Sequence, residues 1–438
     1  MKMYNKIFYT IFLLVFFGTV YSQQVPGKEQ TQSILISNGT IHVGNGDLLE
    51  NAFVGFDNGK INYVSTEQPD MVYEINIDAA NKHIYPGFIA LNTSLGLGEI
   101  DAVRATIDED EIGDFLPHVR SIIAYNAESK VVETLRMNGV LLAQIAPNGG
   151  IISGSSSVVQ LDAWNWEDAV ICYDQGIHLN WPSPYSRSGY SYYRGPSVIK
   201  KSDKYESNVE EIKNFFDSSK AYLNEPNPNP VSLPYKAMSS VFSGNATVFL
   251  HANDKKQIND GVKFLQDQKI KNIVVVGGTN SLEAGDFLVD NNIKIALEQP
   301  HNLPSMEDDD VKSRFRLASQ LINKGVTVAV DATGEMTRMN TRNLPFFAGS
   351  FAAYGVEKEK AVETITLNAA KVLGIEDNYG SIEVGKSATL FISHGDALDM
   401  RTNNLSHAYI DGREVSLETN QTKLWQRYKK KVEEEKKQ

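Results

Sequence analysis

The chain has 438 residues, with 54 Asp and Glu against 42 Lys and Arg, eight histidines and one cysteine. At ~100–200 residues per domain it holds one large domain or two, and 42% hydrophobic with 22% charged residues excludes a disordered chain. The net charge of −12 argues against a nucleic-acid partner, and a lone Cys172 excludes disulfide frameworks and cysteine-rich metal centres, so the chemistry must draw on carboxylates and histidines.

Lys2 and Lys6 precede an apolar run over 7–20, and Ser22 stands before Gln23. This is the pattern of a secretory signal peptide over 1–22. The run is short for the ~20 residues of a membrane span, although an N-terminal anchor is the other reading. We expect an exported protein, periplasmic or secreted, with no membrane partner after cleavage.

Residues 34–77 read as short strands broken by Asn38-Gly39, Gly44-Asn45-Gly46 and Asp57-Asn58-Gly59, the last flanked as a hairpin. After Pro86 eight apolar runs follow, at 84–91, 140–146, 157–161, 176–181, 247–250, 270–276, 293–298 and 326–330. Helical periodicity lies over 131–137, 209–221, 257–266, 282–290, 311–323 and 358–373. Alternating runs and helices predict an α/β fold, a (β/α)8 TIM-like barrel over 86–374 with a parallel sheet. An open doubly wound sheet is the alternative, but no glycine-rich phosphate fingerprint follows the early strands.

Strand-and-turn texture returns after Leu373. The economical arrangement is a composite β-sandwich domain built from 23–85 and 375–420. Residues 421–438 read as a charged terminal helix docked through Leu424, Tyr428 and Val432. A loop over 183–195 carries Tyr185, Tyr190, Tyr192 and Tyr193 with Arg187 and Arg194, either a stacking surface for a ligand or a plain cover.

Several phrases resemble the amidohydrolase superfamily, in the branch of imidazolonepropionase-like enzymes. They are His83-Ile84-Tyr85-Pro86-Gly87-Phe88-Ile89, Arg342-Asn343-Leu344-Pro345-Phe346, and the stretches 366–374 and 380–388. The resemblance implies a hydrolase of non-peptide carbon–nitrogen bonds in small amides or cyclic amides. In such an enzyme a metal-activated water attacks the amide carbon and an aspartate moves the proton to nitrogen.

The family's metal-binding histidines on the first barrel strand are replaced by Asn92 and Ser94. His178 falls near the fourth-strand ligand position, His251 keeps the fifth-strand histidine, and Gly277 stands at the sixth. Thr333 is nearest the eighth-strand aspartate, with Asp331 two residues earlier. The resemblance thus implies His251 and Asp331 as catalytic residues. His178 and His251 would be ligands for a divalent metal such as zinc. Asn92, Arg338 and Arg342 are candidate substrate contacts, the arginines either binding a carboxylate-bearing ligand or pairing with neighbours such as Glu335. The expected partner is a small-molecule substrate or ligand, with a homo-oligomer or an intact relative as protein partner.

Two other readings stand beside the hydrolase. One is an inactive barrel serving as a ligand-binding or partner module. The other is a carbohydrate-acting barrel using carboxylates such as Glu99 and Glu298.

Overall fold

A computed structural model describes residues 25–187, 199–303, 310–334 and 337–436. The segment over 1–22 expected as a signal peptide, and Tyr190, Tyr192, Tyr193, Arg194 and Glu335, lie outside them. No helix among the described residues is long and apolar enough to cross a membrane.

The N-terminal segment forms β1 (Ile34–His42), β2 (Leu48–Asp57), β3 (Lys60–Ser65), β4 (Ile75–Asp78) and β5 (His83–Pro86). The β2–β3 hairpin closes with Asp57 opposite Lys60. Asn58 (φ 48°) and Gly59 (φ 76°) supply the left-handed conformations that a two-residue turn demands.

The barrel strands are β6 (Phe88–Thr93), β7 (Val140–Ile145), β8 (Ile152–Gln160), β9 (Val170–Asn180), β12 (Thr247–Asp254), β13 (Ile273–Asn280), β14 (Lys294–Glu298) and β15 (Val328–Asp331). A small ribbon of β10 (Tyr185–Arg187) and β11 (Ile199–Lys201) rises between β9 and β12. The C-terminal segment then adds β16 (Leu390–Ser393), β17 (Leu405–Ile410) and β18 (Arg413–Glu414). β16 pairs antiparallel with β5, so both ends of the chain share one sheet. The layers expected of a sandwich are hydrogen-bonded into this single sheet, around a core that includes Ile36, Ile41, Val54, Phe56, Ile84 and Ile392.

The run expected over 84–91 divides between the two sheets at Gly87. A Cβ there would come within 2.8 Å of the Thr389 methyl and 3.0 Å of Leu141 Cβ. The chain therefore crosses from sheet to barrel where only glycine fits.

The barrel closes in the order β6-β7-β8-β9-β12-β13-β14-β15. It is not all parallel as expected: β8 runs antiparallel to both β7 and β9. The cause is the short link over 146–151, turned by Gly149 (φ 84°) and Gly150 (φ 59°). A parallel return needs a crossover of about ten or more residues, so this link can only double back.

Inside the barrel Ile89, Leu91, Leu142, Phe249, Val274 and Ala329 pack together with Ala369, Val372 and Leu373 of the helix Leu367–Leu373. That helix plugs the N-terminal end of the parallel strands, and Asn368 Nδ2 donates to the Val328 carbonyl at the start of β15. The helix expected over 358–373 is really two, Lys358–Thr364 and Leu367–Leu373, broken where Thr366 leaves helical geometry (φ −127°, ψ −98°). With this end plugged, the opposite end is the open mouth.

The terminal helix Asn420–Glu435 starts at a Thr419 capping box, and its Asn420 N–H donates to Glu133. None of its residues is buried, and Trp425 and Tyr428 are 62% and 58% exposed. The expected docking through Leu424, Tyr428 and Val432 is thus not seen among the described residues.

Candidate functional site

The mouth is built from residues at the ends of five parallel strands, placed there by the period of two along each strand. Asn92 and Ser94 come from β6 and the residue after it, Asn180 from β9, His251 and Asn253 from β12, Glu298 from β14 and Asp331 from β15. All of them line one cavity of about 260 Å³, with Asn148, Ser153 and Thr333 beside them. Its walls are amides, hydroxyls, one imidazole and two carboxyls. Among the described residues, no lysine or arginine lines it.

His178 and His251 are brought together, but as hydrogen-bond partners. His178 Nδ1 lies 2.9 Å from His251 Nε2. His178 is fully buried and its ring stacks on Phe249, 4.9 Å between centroids. Burial holds the His178 imidazolium well below its usual range, with His251 adding to the effect. Burial lowers His251 to about 4. Both rings are therefore neutral at pH 7, with one proton between them.

The His178 Nε2 atom is buried and finds no hydrogen-bond partner among the described residues. A buried N–H without an acceptor is costlier than a spare lone pair. The favoured tautomer thus carries its proton on His178 Nδ1, which donates to His251 Nε2. His251 then keeps its own proton on Nδ1.

Asp331 is completely buried at the end of β15. Its Oδ1 accepts from the Thr333 N–H at 2.9 Å, and its Oδ2 from Thr333 Oγ1 at 2.7 Å and Asn92 Nδ2 at 3.2 Å. Burial raises its carboxyl to about 7; the Thr333 and Asn92 hydrogen bonds oppose this, and the charge of Glu298 adds to it. Asn92 adopts a left-handed conformation (φ 48°), which asparagine tolerates, and its N–H donates to Gln144 Oε1 at 3.0 Å.

A metal fits poorly here. Asn92 and Ser94 are weak ligands, and the two histidines bond to each other. Gly277 is left-handed (φ 95°), and a Cβ on it would meet Asn253 Oδ1 at 2.6 Å, so a side chain there would be strained. Among the described residues, no group of three or more His, Cys, Asp or Glu is arranged to hold a metal ion, whereas catalytic zinc needs about three protein ligands.

The other candidates lie apart from the cavity. Arg338 lines an adjoining depression with Ser94 and Asn148, where it pairs with Asp101 and, at 2.7 Å, with Glu109. Arg342 is exposed, and its carbonyl accepts from Asn138 Nδ2, two residues before β7 and so at the plugged end. His301 bonds Ser350 Oγ at 2.8 Å in a separate depression. Glu99 accepts from Asn126 and Ser129 away from the cavity.

Asn180 and Asn253, unlike Asn92, are site residues beyond those expected from the sequence. His178-Leu179-Asn180 and His251-Ala252-Asn253 repeat one spacing at two strand ends, as do Asn92 and Ser94 at a third. That shared period of two was the available signal.

Residues 252–415 match the amidohydrolase family model. The chain is 24% identical over 379 residues to a 5-methylthioadenosine/S-adenosylhomocysteine deaminase of Thermoanaerobacter pseudethanolicus, covering 79% of this chain and 81% of that one. Its fold is similar to that of an amidohydrolase from Thermotoga maritima, with TM-score 0.75 and 21% identity over 87% of this chain and 99% of that one. It is also similar to a zinc-bound adenosine deaminase from Xanthomonas campestris, with TM-score 0.53 and 15% identity over 88% and 94%. The matched segment begins at Ala252, next to His251, and ends at Val415, just past β18, so it takes in half of the barrel and the returning strands. That segment and this architecture make the chain similar to amidohydrolases in part of its sequence and in its fold.

Proposed function

We propose that the chain is an exported hydrolase of non-peptide carbon–nitrogen bonds, acting on a small amide or cyclic amide held in the barrel mouth. The match of residues 252–415 to the amidohydrolase family model supports the class of bond, and the similar deaminase acts on the same class. The observation that carries the reading is that Asp331 and His251 open on one polar cavity. Export rests on the apolar run over 7–20.

In this reading the chain's own residues perform the chemistry. Asp331, whose carboxyl sits near 7, gives its proton to the departing nitrogen. His251, neutral and carrying its proton on Nδ1, donates a hydrogen bond to the substrate oxygen as negative charge develops there. Asn180, Asn253 and Ser94 orient the amide. A positioned acid of this kind contributes ~10²–10⁴-fold in rate.

The test is a panel of small amides, lactams and aminated heterocycles given to the mature protein and to Asp331→Asn. Hydrolysis that falls ~10²–10⁴-fold in the variant is the expected result. No hydrolysis by either protein overturns the reading. It would leave the competing one, a barrel that binds a ligand or partner without turnover, which the mutual bond of His178 and His251 favours.

A further inference from the structure

We infer that Glu298 is a second catalytic carboxyl of this site, the base that activates water, paired with Asp331 across the β14–β15 ladder. The inference rests on the hydrolase reading above. Glu298 and Asp331 are the last residues of adjacent parallel strands and are Cα partners in register. Register partners on parallel strands point to the same side, one strand spacing of ~4.8 Å apart. Both line the same cavity, which places two carboxyls within direct or one-water reach of each other and of one bound ligand.

Their surroundings differ in the way an acid and a base require. Glu298 Oε1 accepts from Asn302 Nδ2 at 2.5 Å, and Oε2 faces the Arg314 guanidinium at 3.4 Å. Burial raises the Glu298 carboxyl, and both of these neighbours oppose the rise. The Glu298 carboxyl stays raised, but a cation and an amide favour its charged form against that rise. Among the described residues Asp331 receives neutral donors, Thr333 and Asn92, and the nearby Glu298 charge favours its protonated form. The anion at Glu298 and the proton at Asp331 reinforce each other.

The step balances without any further reactant. Glu298 takes a proton from water as the water oxygen bonds to the amide carbon. Asp331 gives its proton to the nitrogen as the carbon–nitrogen bond breaks. Acid and amine leave, and the proton on Glu298 returns to Asp331 through solvent, restoring both groups.

Two measurements on the mature full chain test this. The first is kcat/KM against pH for wild type, Glu298→Gln and Asp331→Asn on a substrate from the panel. Glu298→Gln is expected to lose ~100-fold or more in kcat with little change in KM, and to lose the acidic limb of the profile. Asp331→Asn is expected to lose the alkaline limb. The second is infrared titration of the protonated carboxyl band that Asp331→Asn removes. Glu298→Gln should lower its midpoint by about half a unit or more, because a neighbouring negative charge is gone. A Glu298→Gln variant that keeps kcat within about threefold and retains the acidic limb overturns the assignment. An unmoved midpoint in an active enzyme overturns the pairing alone. A wild type inactive on the whole panel overturns the hydrolase reading and the role of Glu298 with it, whatever the titration shows.

Discussion

His178 and His251 face each other at 2.9 Å, on register-paired strands β9 and β12, and their shared proton leaves both rings neutral. The relation turns two residues with metal-ligand chemistry into a closed pair. It also makes the pair sensitive to acid.

The sign follows from the depressed values. His251 titrates at about 4 when folded, against its ordinary 6.5, and His178 is shifted the same way. Between those values the unfolded chain binds more protons, so stability is fully present above ~6.5 and is lost as the pH falls toward ~4. The His251 shift alone corresponds to on the order of 3 kcal/mol. Urea unfolding at about pH 4.5 and about pH 7.5 checks this. The gap between the two pH values should be smaller in His178→Phe than in wild type, because one buried titratable ring is gone.

Far from the mouth, Asp162 ties four segments together. It is fully buried, bonds Arg136 at 3.0 Å, accepts from the Gly27 N–H at 2.7 Å and faces Arg413 at 3.4 Å. Arg136 is itself 1% exposed. Asp162→Ala strands that cation, and should cost about 3–5 kcal/mol in chemical denaturation. Asp162→Asn, which keeps acceptors in place, should cost less.

The barrel was legible because its strands are buried on both faces and so read as apolar runs. All eight expected runs overlap barrel strands. The reversal of β8 was not legible from the run itself, since an apolar run has no direction; only the short glycine-bearing link at 146–151 carried it. The site was half legible. Asp331 and His251 stand at strand ends where a period of two aims them inward. The bond between His178 and His251, and the closeness of Glu298 to Asp331, depend on register between strands distant in sequence. The terminal helix shows the opposite failure, since an apolar stripe says what could pack but not what does.

That helix makes a simple prediction. Truncation after Asn420 removes no buried side chain, so Tm should stay within about two degrees of the full chain. A drop of several degrees in calorimetry would mean that the helix packs in solution.

The central claim is that the mouth works through its own carboxyls and imidazole without a metal held by His178 and His251. Elemental analysis of the purified protein, beside His251→Ala, tests it most directly. Metal well below one equivalent is expected in both proteins. Stoichiometric zinc or manganese in the wild type that is lost in His251→Ala would contradict it.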